Sequence, residues 1–157
     1  MLSPELTNAR MSARFKGRRR EVERLLLDIT TWARSADNVH ALVLVGSYAR
    51  SQARMGSDVD LTVLSDNAEG YLADDAWFRQ LRPGSRLIRS ATWGPVQERR
   101  YRLTSGLHVE FGFAPLSWAR VPLDAGTRRV LGDGHRILHD PHDQLAGAVR
   151  DLQGHKP

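Results

Sequence analysis

Five apolar residues in a row, Ala41-Leu42-Val43-Leu44-Val45, stop at Gly46-Ser47. A run this short, closed by a turn residue, reads as a buried strand over His40 to Val45. Downstream, Asp58 to Leu64 alternates polar and apolar residues, the pattern of a half-buried strand. Tyr48 to Ala53 between them reads as a short helical turn, and Arg54 to Ser57 as a loop. This strand–turn–strand unit is the frame on which the rest of the chain must be hung.

The flanking segments supply its covering layers. Phe15, Val22, Leu25, Leu26, Ile29 and Trp32 recur at three- and four-residue steps, which predicts a helix from about Ser12 to Ala36. Residues 1–11 read as an irregular arm. A helix is expected over Asp74 to Leu81, ended by Pro83-Gly84. Strands over 86–93, 97–104 and 107–113 form a meander, with Gly94-Pro95 and Ser105-Gly106 as turns. Pro115 opens a loop or short helical segment, and Asp124 caps a helix to Leu131. Arg136 to His139 reads as a last strand, and Pro141 starts a final helix to Leu152. The order predicts an α+β (α/β-like) domain: one mixed sheet with flanking helices, covered on one face.

Composition narrows the class. At 157 residues and 41% hydrophobic, the chain fits one domain, 1–157, with an ordinary soluble core. The apolar run at 41–45 is far too short to span a membrane, and no early stretch looks like a secretory signal. A cytoplasmic protein is expected. With no cysteine, disulfides, thiolate zinc sites and thiol catalysis are excluded. The net charge is +5, and of 23 basic residues only Lys16 and Lys156 are lysine. Arginine holds phosphates by paired hydrogen bonds. Arg10, Arg14, Lys16, Arg18, Arg19 and Arg20 cluster without an acid among them, so nucleic acid is a conceivable partner, although no interleaved aromatics form a stacking platform.

The chemistry concentrates around the frame. Gly46 lets the backbone turn sharply and approach a ligand closely. Ser47 then presents a hydroxyl and free amides, an arrangement suited to phosphate. Asp58 and Asp60, two apart on a strand, project from one face while Val59, Leu61 and Val63 point into the core. Two carboxylates side by side repel, and a divalent cation relieves them; hard oxygen ligands beside substrate phosphates suit Mg²⁺. In the strand containing Val109 and Phe111, Glu110 shares a face with His108 and Gly112. If that strand lies near Asp58, Glu110 joins the pair, either to hold a second metal or as a general base. Arg50 and Arg54 flank the turn and are candidates for phosphate contact. The alternatives are a solvated acidic strand face, and for Arg50 and Arg54 an exposed ion pair. His135, His139 and His142 read as surface histidines, and Trp32, Trp77, Trp93 and Trp118 as core or rim.

Gly46-Ser47, ten residues, then Asp58-Val59-Asp60 resembles the signature of the DNA polymerase beta-like nucleotidyltransferase superfamily, especially its minimal and antibiotic-modifying members. The resemblance covers about residues 41–64. It implies a palm-like fold, phosphate contacts at Gly46 and Ser47 with Arg50 beside them, and Mg²⁺, one ion or two, on Asp58, Asp60 and the third acid Glu110. The implied reaction transfers a nucleoside monophosphate, AMP from ATP, to an acceptor hydroxyl, releasing pyrophosphate. Members often carry Gly where this chain has Ser51, so a loop needing positive φ there strains Ser51.

The acceptor is not written in a motif. Few residues follow Glu110, so the acceptor surface is expected from the first helix, a second copy of the chain or another protein. The first expectation is a protein acceptor, a toxin neutralised by an attached nucleotide as minimal nucleotidyltransferases do. The alternatives are an aminoglycoside-type antibiotic modified by a homodimer, and a non-catalytic nucleotide- or RNA-binding module.

Overall fold

A computed structural model describes residues 4–154, with side chains from residue 13. The first helix, α1, runs Pro4–Ser35. The expected arm therefore gives way to helix over residues 4–11, while residues 1–3 lie outside the described residues. Pro4 is suited to a first turn, and no helix breaker follows it before Gly17. Val22, Leu25, Leu26, Ile29 and Ala33 are the buried stripe of α1.

After α1 come β1 (Val39–Val45), β2 (Val59–Ser65), α2 (Ala68–Ala73) and α3 (Ala76–Leu81). Then follow β3 (Arg86–Trp93), β4 (Val96–Arg102) and β5 (His108–Ala114). A 3₁₀ turn (Leu116–Ala119), α4 (Ala125–Gly132), β6 (His135–His139) and α5 (Gln144–Gly154) complete the chain. The six strands form one mixed sheet in the order β3-β4-β5-β2-β1-β6. Of its pairings only β2 with β5 is parallel. The α+β mixed sheet with flanking helices is thus as expected.

The covering is not one-sided. Leu42 and Leu44 of β1 pack with α1 on one face, in the cluster that includes Leu61, Phe78, Phe111 and Phe113. Ala41 and Val43 pack on the other with Trp118, Leu131 and Leu145, below α4 and α5. An apolar run with no polar alternation has no solvent face to offer, so β1 needs a layer on each side. Beside this second layer, Glu98 of β4 and Glu110 of β5 line an open cleft together with Gly126, Thr127 and Val130 of α4.

Local details follow side-chain chemistry. The Asp124 carboxylate accepts from the Thr127 amide at 2.8 Å and caps α4 as its position predicts. The final helix starts three residues after Pro141. Asp140 accepts from the amides of Leu145 and Ala146 at 3.1 and 2.8 Å, which fixes the later start. Of the tryptophans, Trp118 is in the core, and Trp32 stacks on Trp77 at 4.0 Å at its margin. Trp93 stands 58% exposed. Among the described residues, no helix is long and apolar enough to cross a membrane.

Candidate active site

The site begins where β1 ends. Val45 pairs with Asp60 across the β1–β2 ladder, so the turn at Gly46 lies directly beside that acid. Gly46 has φ +76°, and a Cβ there would sit 2.6 Å from Asp60 Oδ2. Conformation and contact each demand glycine.

The next residues form the expected short helical turn, which ends at Ser51 rather than Ala53. Arg50 donates its amide to the Gly46 carbonyl at 3.1 Å, and Gln52 to that of Ser47 at 2.9 Å. Ser51 has φ +57°, the strained left-handed conformation, and that stops helical propagation. Among the described residues, the amides of Ser47, Tyr48 and Ala49 donate to no backbone carbonyl. Tyr48 packs against the core edge, with burial pushing its phenol pKa up. Arg50 is anchored sideways: its guanidinium donates to Gln52 Oε1 at 3.2 Å and to the Asp133 carbonyl at 3.3 Å. Arg54 belongs to the loop, where its amide bonds the Ser57 hydroxyl at 2.8 Å.

Asp58 immediately precedes β2 and Asp60 is its second residue. Val59, Leu61 and Val63 are in the core, so the acids take the other side. The parallel register sets Asp60 opposite Glu110, and the antiparallel β4–β5 register sets Arg100 on the far side of Glu110. The three predicted acids thus come together, two of them on one guanidinium. Arg100 Nη2 lies 3.0 Å from Glu110 Oε2 and 3.3 Å from Asp58 Oδ2. Its Nε is buried without a partner. His108 Nδ1 stands 3.9 Å from Asp58 Oδ1.

Crowding shows in the protonation. Burial, then the charge of Glu110 and a hydrogen bond to it, then Asp58, push the Asp60 carboxyl up to about 7. Burial pulls Glu110 the same way, but hydrogen bonds from Glu98, Arg100 and Asp60 outweigh it and hold Glu110 below its ordinary value. Glu98 is itself raised, first by burial and then by its bond to Glu110. The cluster is short of positive charge, with Arg100 as its resident counter-ion, and its oxygen donors are those a hard divalent cation takes. Among the described residues, no three acids or imidazoles are already gathered into a metal cage. A cation here competes with Arg100.

Glu98 and Arg100 were not among the predicted site residues. Their signal was present: residues 98, 100 and 102 alternate along β4. Only the β4–β5 register shows that their face is the acid face. Of the histidines read as surface residues, His135 bonds the Leu131 carbonyl at 3.0 Å, and burial pulls His139 down.

Asp60 and Glu110 line a cleft of about 460 Å³, open to solvent, together with Gly46, Arg50, Trp93 and residues of α4. Glu98, Asp124 and Asp133 add to its acidic lining, against Arg50 as the one lining cation among the described residues.

Residues 26–104 match the sequence model of the nucleotidyltransferase domain, a stretch that includes Gly46, Asp58 and Asp60 and stops before Glu110. Among solved structures, an aminoglycoside 6-adenyltransferase from Bacillus subtilis is similar at 15% identity and a TM-score of 0.44, over 60% of this chain and 35% of that one. A cytoplasmic RNA terminal U-transferase is similar at 21% identity and a TM-score of 0.43, over 63% and 28%. A toxin–antitoxin structure with AMP-PNP is similar at 14% identity and a TM-score of 0.43, over 82% and 85%. The chain spans about a third of the length of the first and less of the second. No curated protein matches it.

Proposed function

This chain belongs to the nucleotidyltransferase domain family, and from that premise we propose that it transfers a nucleoside monophosphate, AMP from ATP, to an acceptor hydroxyl with release of pyrophosphate. The observation that carries the reading is the register that sets Asp60 against Glu110, with Asp58 held to the same Arg100 guanidinium.

The turn at Gly46 and Ser47 holds the phosphates through its uncommitted amides, with Arg50 beside it. Asp58, Asp60 and Glu110 would hold Mg²⁺, one ion or two. When bound, the metal supplies charge stabilisation for the phosphates and the leaving pyrophosphate. Without it, burial and the charge of Glu110 raise the Asp60 carboxyl, and the single charge of Arg100 is divided between Glu110 and Asp58. In the alternative role, Glu110 leaves the metal to Asp58 and Asp60 and accepts the proton of the acceptor hydroxyl as general base. The attacking oxygen and the departing pyrophosphate lie in line through the α-phosphorus. The reaction is placed in the cytoplasm, where ATP and Mg²⁺ are at hand.

The acidic lining of the cleft favours an acceptor that presents its hydroxyl next to positive charge. A partner protein of toxin type with a basic segment meets this requirement. So does an aminoglycoside-type antibiotic held between two copies of the chain. Incubation with labelled ATP separates them by whether the label lands on a protein band or on the small molecule.

The test of the reaction is transfer of label from Mg²⁺–ATP labelled at the α-phosphate, with cell extract as the source of acceptor, by wild type, Asp58→Asn and Asp60→Asn. The expected result is an acceptor labelled only when wild type is added and no label with either variant, with unchanged far-ultraviolet circular dichroism. Full activity in both variants overturns the reading. Calorimetric ATP binding without any turnover points instead to a nucleotide-binding module.

A further inference from the structure

Past the acids the sheet continues to a free edge. β3 is its outermost strand and pairs with β4 alone. Its residues from Arg86 to Ser90 are all exposed, and so are Thr92 and Trp93. The registers show which of them share the face of the acids. Glu110 of β5 stands opposite Arg100 of β4, which stands opposite Arg89 of β3. In the neighbouring row His108 stands opposite Arg102, which stands opposite Arg86. Arg86 and Arg89 are three apart, and they fall on one face because the strand is bulged between Leu87 and Arg89. The approach of Arg89 to Glu98, at 3.9 Å, agrees with that face.

Four arginines thus stand two by two on the outer half of the acid face, and the pairing costs stability. Like charges directly opposite each other on neighbouring strands repel. Arg100 is held by Glu110 and Asp58, and Arg89 has Glu98 at the limit of contact. The exposed guanidinium groups of Arg86 and Arg102 have no ion pair and no acceptor among the described residues. Charge on an edge strand can keep other strands away. Arg102, however, lies one strand in, with no edge to guard. An anionic partner laid along this strip relieves both pairs together.

The partner that fits is a polypeptide. The outer side of β3 offers backbone amides and carbonyls that an added strand can pair with. In an extended chain, carboxylates at alternate positions fall on one face about 6–7 Å apart, the repeat that also separates Arg102 from Arg100. Among the described residues no aromatic ring stands between these arginines on that face for a nucleobase to stack on. A second copy of the chain brings the same positive charge to the edge. We infer that the β3 edge is a dock for an acidic, extended segment of a partner protein, which adds to the sheet with its carboxylates beside Arg86 and Arg89 and in the field of Arg102. The dock goes beyond the transfer reading, since it needs neither nucleotide nor metal. The acidic cleft and this basic strip select opposite charges at two places on one partner.

The experiment follows, by fluorescence anisotropy, a labelled and capped peptide in which glutamate alternates with threonine. The full chain is used without Mg²⁺ or nucleotide, as wild type, Arg86→Ala/Arg102→Ala and the control Arg120→Ala/Arg150→Ala. Both double variants lower the net charge equally. Wild type binds the peptide, the dock variant binds it about tenfold more weakly, as expected for two exposed ion pairs, and the control binds as wild type does. Two further peptides carry N-methyl groups, one on every glutamate and the other on every threonine. Alternate amides of a strand point to opposite edges, so one of these peptides loses binding and the other keeps it. Relief of the repulsion leaves the dock variant melting no lower than wild type. No binding by wild type, an equal loss in both double variants, equal binding of the two N-methylated peptides, or a lower melting temperature of the dock variant overturns the dock. So does a single-stranded oligothymidine that binds more tightly than the peptide and is lost in the dock variant, because the strip is then a nucleic-acid surface. Label transfer is no part of this readout, so the dock and the transfer reading fail separately.

Discussion

On one face of β2 and β5, Val59, Leu61 and Val63 meet Val109, Phe111 and Phe113, and none is more than 2% exposed. On the other face of the same two strands, Asp60 and Thr62 lie beside Glu110 and Gly112 in an open cleft, with Asp58 and His108 at their start. The first face is where burial of apolar surface stabilises the fold. The second holds like charges together, a strand glycine and, in the neighbouring turn, a strained serine. A slip of one residue in either strand exchanges the two faces, so the apolar side is what dictates the register that assembles the acids. The charged side could not assemble itself.

The comparison breaks first at Phe111. Its ring is fully buried and packs against Trp77, Phe78 and Tyr101. Phe111→Ala is expected to cost about 3–5 kcal/mol in denaturant unfolding, the range for aromatic deletions in cores. A cost near that of a surface change contradicts the division of labour between the faces.

A smaller and opposite effect belongs to Asp60. Its folded pKa of about 7 is above the ordinary 3.8. The folded state therefore binds the proton more tightly than the unfolded chain does. The stability linked to this group is complete below about pH 4 and is lost as pH rises toward about 7. In metal-free buffer, melting temperatures from pH 5 to 7.5 should fall more steeply in wild type than in Asp60→Asn. Parallel curves reject the crowding. Least in size is Ser51→Gly. Relief of a left-handed serine gains about 1 kcal/mol, less the extra freedom of glycine in the unfolded chain. A destabilised variant shows that the serine side chain is itself needed in the turn.

Much of this was legible in the residues. Period-two alternation put Asp58 and Asp60 on one face, and His108, Glu110 and Gly112 on another. Hairpin turns at Gly94-Pro95 and Ser105-Gly106 framed β3, β4 and β5 as observed. What could not be read is which strand neighbours which. The alternation in 108–113 is the same for a central strand as for an edge one, and only packing of Phe111 and Phe113 into the α1 layer sets β5 beside β2. Glu98 and Arg100 were obscured for that reason. α2 is six residues long with Gly70 inside it, and its apolar positions Ala68, Tyr71 and Leu72, only partly buried, make too short a stripe to announce a helix. The helical turn after Ser47 was legible, but where it stops was not, because Tyr48-Ala49-Arg50 has no local breaker. The breaker is the conformation of Ser51, which no propensity records.

The parallel pairing of β2 with β5 encloses everything between residues 65 and 108. On the ribosome, Asp58 and Asp60 emerge well before Glu110 and the residues that lock it in place. A nascent chain of that length thus carries two of the three acids and not the third. Closing so long a loop is a slow, late event in folding. Synthesis itself then sets the order: the acid cluster stays incomplete until the polypeptide has supplied the strand that completes it.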